Sequence, residues 1–320
     1  MKAICVNEFG GPEVLKLQEV PAPKAAAGQV LVRVHAAGVN PYETYMRAGV
    51  YPTLPPLPYT PGSDGAGVVE TVGAGVKGVK PGDRVYLAKS LSGTYAQYAL
   101  ALEEQVHPLP ESLSFAQGAG VWVPFGTAFH ALVHTANARP GETVLVHGAS
   151  GGVGGAAVQL ARAMGLTVFG TAGTPKGMEL AKREGASLVF DHGKAGYTDE
   201  IMKASGGHGV DVVLEMLANV NLAADTKLIA RNGRIVVIGS RGEAAINPRE
   251  LMGRRGSIRA FTLWGITPAE EKEIHAGIGA GLWNGTLRPV TGREFPLREA
   301  ALAHKAIMET GAAGKIVLVT

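Results

Sequence analysis

A glycine-rich segment holds the residues of this 320-residue chain that are best suited to do chemistry. It reads Thr143-Val-Leu-Val-His-Gly-Ala-Ser-Gly-Gly-Val-Gly-Gly155, which predicts a strand, a tight turn and the start of a helix. Glycines let the backbone approach a pyrophosphate, and free N–H groups at a helix N-terminus favour its charge. The spacing from Gly148 to Gly154 is one residue longer than the common GxGxxG fingerprint, but the flanking elements are the required ones. The segment predicts a dinucleotide-binding site.

The end of the second predicted strand indicates which dinucleotide is preferred. NAD sites carry an Asp or Glu about 20 residues after the turn, where it binds the ribose 2′-hydroxyl. Here the strand ends Phe169-Gly-Thr-Ala-Gly-Thr-Pro-Lys176, and the first acid is Glu179. Lys176, His192 and Arg241 can supply positive charge or donors to a 2′-phosphate, although each could instead be a solvated surface residue. We therefore predict NADPH rather than NADH.

The elements that position this turn form a repeated strand–helix pattern after Val121. Strands are predicted at residues 143–147, 167–171, 188–191, 210–215, 234–238 and 257–263. The helix after the turn has an apolar stripe formed by Val153, Ala156, Ala157, Leu160, Ala161 and Met164. The pattern predicts an α/β fold with a doubly wound, parallel sheet of the Rossmann type.

The rest of the chain predicts a second, mainly β domain. Short β-type runs at 30–34, 66–70 and 84–87 are split by glycine and proline. We predict a first domain at 1–119, the dinucleotide-binding domain at 120–263, and a return to the first domain at 264–320. The return contains predicted helices at 267–284 and 297–310 and a strand at 315–319. The cleft between the domains is the expected active-site position.

Composition excludes several classes of protein. With 46% hydrophobic and 18% charged residues, the chain is globular rather than disordered. A net charge of +3, with no basic stripe and no aromatic RNA-binding motif, argues against nucleic acid or a membrane surface. The single cysteine, Cys5, cannot close an intramolecular disulfide, and no run of 18 apolar residues occurs. We expect a cytoplasmic, soluble protein.

Six longer motifs resemble the medium-chain dehydrogenase/reductase superfamily, and within it the zeta-crystallin type of NADPH:quinone oxidoreductase. They lie at residues 8–15, 38–45, 58–64, 146–154, 215–221 and 239–242. The most specific are Glu215-Met-Leu-Ala-Asn-Val-Asn221 and Gly239-Ser-Arg-Gly242. The resemblance implies a GroES-like catalytic domain beside the Rossmann domain. It also implies a homo-oligomer, most often a dimer, with a tetramer as the alternative. The strand at 257–263 is the expected edge at which the nucleotide-domain sheets of two copies join.

The resemblance further assigns site residues. It places Asn40, Tyr45 and Thr127 near the nicotinamide and Tyr51 in the substrate pocket. The implied cofactor contacts are Tyr45, Thr127, Ser150, Gly151, Gly152, Val153, Gly173, His192, Asn221, Ile238, Gly239, Ser240, Arg241, Phe261, Thr262 and Leu263, to which Lys176 is added on charge grounds alone. Tyr51 or Tyr45 could donate a hydrogen bond or proton to a developing oxyanion. Tyr51 could equally be a packing aromatic beside prolines 52, 55 and 56.

Metal catalysis is not expected. Zinc alcohol dehydrogenases of this superfamily bind their catalytic metal through Cys and His, and the corresponding segments here carry Asn40, Ser63 and Val123, which cannot hold Zn²⁺. Without a Lewis acid the acceptor must be easily reduced. The sequence therefore predicts zinc-independent, NADPH-dependent quinone reduction. A 2-alkenal or enone reductase is the alternative enzyme, and an RNA-binding or structural, crystallin-like role is the alternative from another class.

Overall fold

The computed structural model describes residues 1–311 and 313–320. The strands are β1 (Lys2–Cys5), β2 (Lys16–Glu19), β3 (Gln29–Gly38), β4 (Asp64–Val72), β5 (Arg84–Ala88), β6 (Tyr98–Leu102), β7 (Val106–Pro108), β8 (Thr143–Val146), β9 (Thr167–Ala172), β10 (Leu188–Asp191), β11 (Val210–Glu215), β12 (Ile229–Val237), β13 (Ser257–Ala260), β14 (Thr291–Pro296) and β15 (Lys315–Val319). The α-helices are α1 (Pro41–Arg47), α2 (Phe115–Gly118), α3 (Trp122–Phe129), α4 (Gly152–Ala163), α5 (Pro175–Glu184), α6 (Tyr197–Ala204), α7 (Ala218–Leu228), α8 (Pro248–Arg254), α9 (Pro268–Asn284) and α10 (Ala300–Ala306). No helix among the described residues is long and apolar enough to cross a membrane.

The chain divides into two compact units. The first comprises Met1–Val123, Arg288–Thr310 and Gly314–Thr320, and the second is formed mainly by Pro124–Leu287. Helix α9 belongs to the second unit, where the Phe129 ring lies against Gly277 and Glu270 lies 3.5 Å from His130. The chain therefore re-enters the first unit at Arg288, rather than at residue 264 as the sequence suggests.

The second unit is built on a six-stranded parallel sheet. Its strand order is β10-β9-β8-β11-β12-β13, so the order reverses between β8 and β11. Val144, Leu145 and Val213 are fully buried, as expected for parallel strands covered on both faces. This topology confirms the predicted Rossmann-type fold, whose ligands bind where the strand order reverses.

Helix α4 covers this sheet with the predicted apolar stripe. Its four central members, Ala156, Ala157, Leu160 and Ala161, are all buried. Val153 and Met164, at the ends of the stripe, are only half-buried. The stripe is thus confirmed over the two turns that pack most closely.

The first unit is built on a larger, mainly antiparallel sheet. The strand path is β14-β15-β3-β4-β5-β7, and β6 pairs with β3 outside this path. Only β14 and β15 run parallel, and β15 lies between β14 and β3. Residues such as Val32, Val34, Leu87 and Leu318 form its buried core. The predicted mainly β, GroES-like fold class is therefore confirmed.

Among the predicted elements whose bounds differ, three have a clear local reason. The fifth strand of the Rossmann sheet begins at Ile229 instead of residue 234, because it continues through Asn232, which adopts a φ of +64°. The sixth ends at Ala260, because a 3₁₀ turn at Leu263–Gly265 follows. The helix predicted at 297–310 is a 3₁₀ turn followed by α10, which ends at Ala306.

Candidate functional site

The predicted cofactor residues of the second unit follow the carboxyl ends of its six parallel strands. They are Ser150, Gly151, Gly152 and Val153 after β8, Gly173 and Lys176 after β9, His192 after β10, Asn221 after β11, Ile238, Gly239, Ser240 and Arg241 after β12, and Phe261, Thr262 and Leu263 after β13. Parallel strands end at the same edge of a sheet, and that edge is where α/β folds bind ligands. The structure therefore brings these residues to one edge.

The glycine turn has the backbone geometry that a pyrophosphate site requires. Gly148 adopts a φ of +59°, and Gly151 precedes the first residue of α4. A side chain at Gly154 would collide with the carbonyl oxygen of Gly148, so the helix start packs directly on the turn. Ser150 is buried at 6% exposure, whereas Gly152 and Val153 are half-buried. The turn and the N-terminus of a twelve-residue helix fit a bound pyrophosphate.

The segment after β9 is exposed to solvent, so a phosphate can reach it, and it contains no Asp or Glu. Gly173 is exposed, and a Cβ atom there would lie 2.6 Å from Nε2 of His192, so the imidazole packs over this glycine. Thr174 caps α5 by accepting a hydrogen bond from the Gly177 N–H at 3.1 Å. Lys176 is exposed in the first turn of the same helix. Lys176 and His192 are thus both accessible to an anionic ligand.

The segments after β11 and β12 are hydrogen-bonded to each other, since the Ala218 N–H donates to the Gly239 carbonyl at 2.9 Å. The backbone N–H of Arg241 donates to Oδ1 of Asn219 at 2.9 Å, and the Arg241 side chain is exposed. Ser240 donates from Oγ to the Gly242 carbonyl at 2.7 Å. Asn221 is half-buried and donates from Nδ2 to Oε1 of Glu215 at 3.1 Å. These bonds order two loops at the same edge.

An aromatic stack orders the segment after β13. The ring of Phe261 lies 4.3 Å from the ring of His130, centroid to centroid. Thr262 precedes the 3₁₀ turn and its carbonyl accepts from the Gly265 N–H at 2.9 Å, while Leu263 is buried. Thr127, on α3 of the same unit, is also buried, at 7% exposure. These residues have the fixed backbone that a nicotinamide contact needs.

In the first unit, Asn40 belongs to a buried polar network. Its Nδ2 donates to Oδ2 of Asp64 at 3.0 Å, and its Oδ1 accepts from the Lys315 ammonium group. Lys315 also lies 2.8 Å from Asp64 Oδ2, and Asp64 Oδ1 accepts from the Val123 N–H at 2.9 Å. Asn40 is 2% exposed, so its amide is committed to this network. The geometry gives Asn40 a positioning role rather than a place on an open surface.

Glu43 is the second centre of this network. Its Oε2 accepts from the Asn40 N–H and the Tyr95 hydroxyl, both at 2.8 Å, and its Oε1 accepts from the Ser63 N–H at 3.2 Å. Burial raises the pKa of Glu43 to about 7, although the nearby Lys315 ammonium opposes that shift. Glu43 therefore exchanges its proton near neutral pH.

The tyrosines near this network differ in accessibility. The Tyr42 hydroxyl lies 2.6 Å from Ser63 Oγ, and the Tyr42 ring lies 5.9 Å from the ring of Tyr51. Tyr45 and Tyr51 are half-buried. Both retain enough exposed surface to touch a ligand, and Tyr51 also takes part in aromatic packing.

The positions that correspond to zinc ligands do not suit a metal. The structure brings them together, since Asn40 and Val123 both bind Asp64, and Asn40 and Ser63 both bind Glu43. They supply an amide, a hydroxyl and an apolar side chain, where Zn²⁺ needs thiolate, imidazole or carboxylate ligands. The Lys315 ammonium already supplies the positive charge at Asp64. This donor set does not fit zinc.

The sequence interpretation missed three residues of this network, Glu43, Asp64 and Lys315, and two residues buried near the glycine turn, His147 and Asp225. A signal existed for Glu43, because Asn40-Pro-Tyr-Glu43 has the spacing of a capping box with proline at the first helical position. The others carry no local signal. Asp64 and Lys315, for example, are 251 residues apart in the chain.

Comparison with known proteins identifies the family. An alcohol dehydrogenase GroES-like domain matches residues 26–111, and a zinc-binding dehydrogenase domain matches residues 152–276. The chain is 51% identical to human quinone oxidoreductase over 322 aligned positions, covering 99% of this chain and 97% of the human protein. The chain belongs to the quinone oxidoreductase family of medium-chain dehydrogenases/reductases. The domain description names zinc, whereas Asn40, Ser63 and Val123 offer no thiolate, imidazole or carboxylate ligand.

Solved structures of related enzymes share the fold over the whole chain. An NAD-dependent alcohol dehydrogenase matches with a TM-score of 0.93 and 31% identity, covering 100% of both chains. An Escherichia coli quinone oxidoreductase complexed with NADPH matches with a TM-score of 0.88 and 29% identity, again over 100% of both chains. The fold is common to enzymes that use either dinucleotide. In this chain, the residues after β9 indicate which dinucleotide is preferred.

Proposed function

We propose that this protein is a zinc-independent, NADPH-dependent quinone reductase. The observation that carries the proposal is the single edge at which six parallel strands present the predicted cofactor residues, next to a β9 terminus without an acid. The 51% identity to human quinone oxidoreductase supports the acceptor class. Because the first-unit network does not suit a metal, the acceptor must be reducible without a Lewis acid, as quinones are.

We propose the following tasks for the chain's own residues. The turn from Gly148 to Gly154 binds the pyrophosphate, and Lys176, His192 and Arg241 bind the 2′-phosphate. Thr127 and the segment Phe261 to Leu263 orient the nicotinamide, which supplies hydride from its C4 atom when NADPH is bound. The hydroxyls of Tyr45 and Tyr51 donate hydrogen bonds to the acceptor oxygen. Asn40 acts indirectly, because its amide positions α1 through Asp64 and Lys315.

An acceptor panel tests the proposed function. NADPH oxidation is followed spectrophotometrically with 9,10-phenanthrenequinone, 1,4-benzoquinone and a 2-alkenal, and the series is repeated with NADH. We expect quinone turnover and a higher kcat/KM with NADPH. Turnover of the alkenal alone would replace the quinone with an enone acceptor. Equal kcat/KM values for the two dinucleotides would refute the NADPH preference.

We also propose that the protein is a homodimer in the cytoplasm. Strand β13 is an edge of the Rossmann sheet, and its unpaired backbone groups can pair with the same strand of a second copy. The single, buried cysteine supports a reducing compartment. Sedimentation equilibrium measures the assembly, and a stable monomer would refute the dimer.

A further inference from the structure

Three ionisable side chains are buried together next to the glycine turn. His147 immediately precedes Gly148 and is 3% exposed, while Glu215 on β11 and Asp225 on α7 are both 0% exposed. Nε2 of His147 lies 2.8 Å from Oδ1 of Asp225 and 3.5 Å from Oε2 of Glu215. We call these three residues the buried triad. None of them belongs to the predicted cofactor contacts.

One side of the buried triad connects to the turn through Thr171. Nδ1 of His147 lies 3.3 Å from the Thr171 hydroxyl, which also accepts from the Gly148 N–H at 3.2 Å. The same hydroxyl lies 3.3 Å from Nδ1 of His192. The orientation of His147 is therefore coupled to the first glycine of the turn and to His192.

The other side connects to the loop after β11. Oε1 of Glu215 accepts from Asn221 Nδ2 at 3.1 Å and from the Leu217 N–H. Glu215 thus holds the start of α7, and Asp225 lies further along the same helix. The buried triad joins two of the segments that carry predicted cofactor residues.

The two carboxyl groups of the buried triad have too few hydrogen-bond donors around them for both to be ionised. Oε2 of Glu215 and Oδ2 of Asp225 are buried and have no hydrogen-bond partner. One ligand atom from each member of the triad lies within 4.8 Å of the others, so the two carboxyl groups are close neighbours. A proton between these two oxygens would satisfy both. Consistent with this, burial raises the pKa of both carboxyl groups above their ordinary values.

We propose that His147, Glu215 and Asp225 are positioning residues for the dinucleotide, and that a proton shared by the two carboxyl groups keeps the site able to bind phosphate. The proposal rests on the proposed NADPH function. With that proton present, the two carboxyl groups carry one negative charge between them. Its loss adds a second negative charge next to a turn that must accept an anion, and it removes the hydrogen bond between Glu215 and Asp225.

A metal ion is the alternative occupant of the buried triad. The His147–Asp225 separation of 2.8 Å is a hydrogen-bond distance. Two ligands of a tetrahedral Zn²⁺, each about 2 Å from the metal, lie more than about 3 Å apart. The observed spacing therefore favours a shared proton.

The test compares the pH dependence of NADPH affinity in the wild type and in Glu215→Gln. The glutamine keeps a carbonyl for Asn221 and Leu217, and its amide can donate to Oδ2 of Asp225, so it imitates the protonated acid. Between about pH 7 and pH 9 we expect the wild-type Kd, measured by calorimetry, to rise about fivefold and the Glu215→Gln Kd to stay constant. In this range the 2′-phosphate is already about 90% ionised or more, since its second pKa is about 6.

Controls separate this effect from other charges. The remaining titratable groups that act on the buried triad are His192 and Tyr197, and both are unchanged in the variant. Glu200→Gln removes an exposed carboxylate from α6 and should retain the wild-type pH dependence. Asp225→Asn is the second variant, because its amide can donate to Oε2 of Glu215. It should abolish the pH dependence as Glu215→Gln does.

The outcomes distinguish this proposal from the proposed function. A wild-type pH dependence in both Glu215→Gln and Asp225→Asn would overturn the shared proton, as would one equivalent of metal in the purified protein. Infrared spectroscopy should show a protonated carboxyl band that Glu215→Gln removes, and its persistence would also overturn the proposal. Failure of the wild type to bind NADPH at any pH would refute the proposed function instead, while the infrared band would still test the shared proton.

Discussion

The ammonium group of Lys315 lies 2.8 Å from Oδ2 of Asp64, and both side chains are buried. Asp64, on β4, also accepts hydrogen bonds from Asn40 and from the Val123 N–H. Its carboxylate therefore connects β4 to the start of α1 and to the first turn of α3. Because a buried charge without a partner is much more costly than an exposed one, the order of this part of the first unit depends on Lys315.

Replacing Lys315 with Met should lower the free energy of unfolding by about 3–5 kcal/mol, because Asp64 is left as an uncompensated buried charge. Urea unfolding measures the change. The control Lys305→Met alters an exposed lysine on α10 and should have little effect. The double variant Lys315→Met/Asp64→Asn should be less unstable than Lys315→Met. Equal unfolding energies for Lys315→Met and the wild type would contradict the importance of this pair.

Gly154→Ala should weaken NADPH binding about tenfold or more, because the new methyl group collides with the Gly148 carbonyl and displaces the turn. Fluorescence titration with NADPH measures the Kd. The matched control is Gly155→Ala in the same helix, where the nearest atom to a Cβ lies 3.9 Å away. That variant should bind normally. If both variants bind like the wild type, the close packing at Gly154 does not serve the ligand.

Arg241→Ala and Lys176→Ala should each raise the KM for NADPH about tenfold and leave the KM for NADH nearly unchanged, because only NADPH carries the 2′-phosphate. Steady-state kinetics with both dinucleotides measures the difference. Lys182→Ala, which removes another exposed lysine from α5, serves as the control. Parallel increases for NADPH and NADH would show that the two side chains do not recognise the phosphate.

Glu43→Gln should change how stability depends on pH. The folded state holds the Glu43 proton up to about pH 7, whereas an unfolded glutamate releases it near 4.5. Wild type therefore loses stability between these values as pH rises, and this contribution is constant above them. The free energy of unfolding of Glu43→Gln minus that of the wild type should therefore increase by about 3 kcal/mol as the pH rises from 4.5 to about 7. Urea unfolding at several pH values measures it, with the exposed Glu19→Gln as control. A pH-independent difference would refute the buried proton.

Tyr51→Phe should lower kcat for quinone reduction about 100-fold, since it removes a hydroxyl proposed to donate to the acceptor oxygen. The phenyl ring keeps the aromatic contact with Tyr42, so folding should be preserved. Tyr59→Phe is the control, because the buried Tyr59 hydroxyl has no hydrogen-bond partner in the described structure. An unchanged kcat for Tyr51→Phe would assign this residue to packing.

Much of the Rossmann unit could be predicted because its strands are continuous apolar runs between turn residues. The strand Val210–Glu215 has the predicted bounds, and β8 differs from its prediction by one residue. Strand β12 was harder, because Asn232-Gly233 resembles a turn although the strand continues through it. The helix predicted at 297–310 has suitable periodicity, but the chain turns at residues 307–310, before Gly311 with its φ of +83°.

The candidate site was less predictable than the fold. Glycines signal a close backbone approach through their own type, so Gly148 and Gly154 stand out in the sequence. Lys315 and Asp64 do not, because a pairing between residues 251 apart has no local spacing. The buried triad is similar: His147 and Asp225 are 78 residues apart, and only the parallel sheet and α7 bring them together.

The position of β15 between β14 and β3 has a consequence for the nascent chain during synthesis. At a synthesis rate of about 5–20 residues per second, the 251 residues from Asp64 to Lys315 take roughly 10–50 seconds to make. Throughout that time, the ribosome-bound chain holds a carboxylate without its cation, and the end of β3 from Ala36 to Gly38 lacks its β15 partner. The second unit is synthesised completely within this interval, so it is free to fold before the first unit can close.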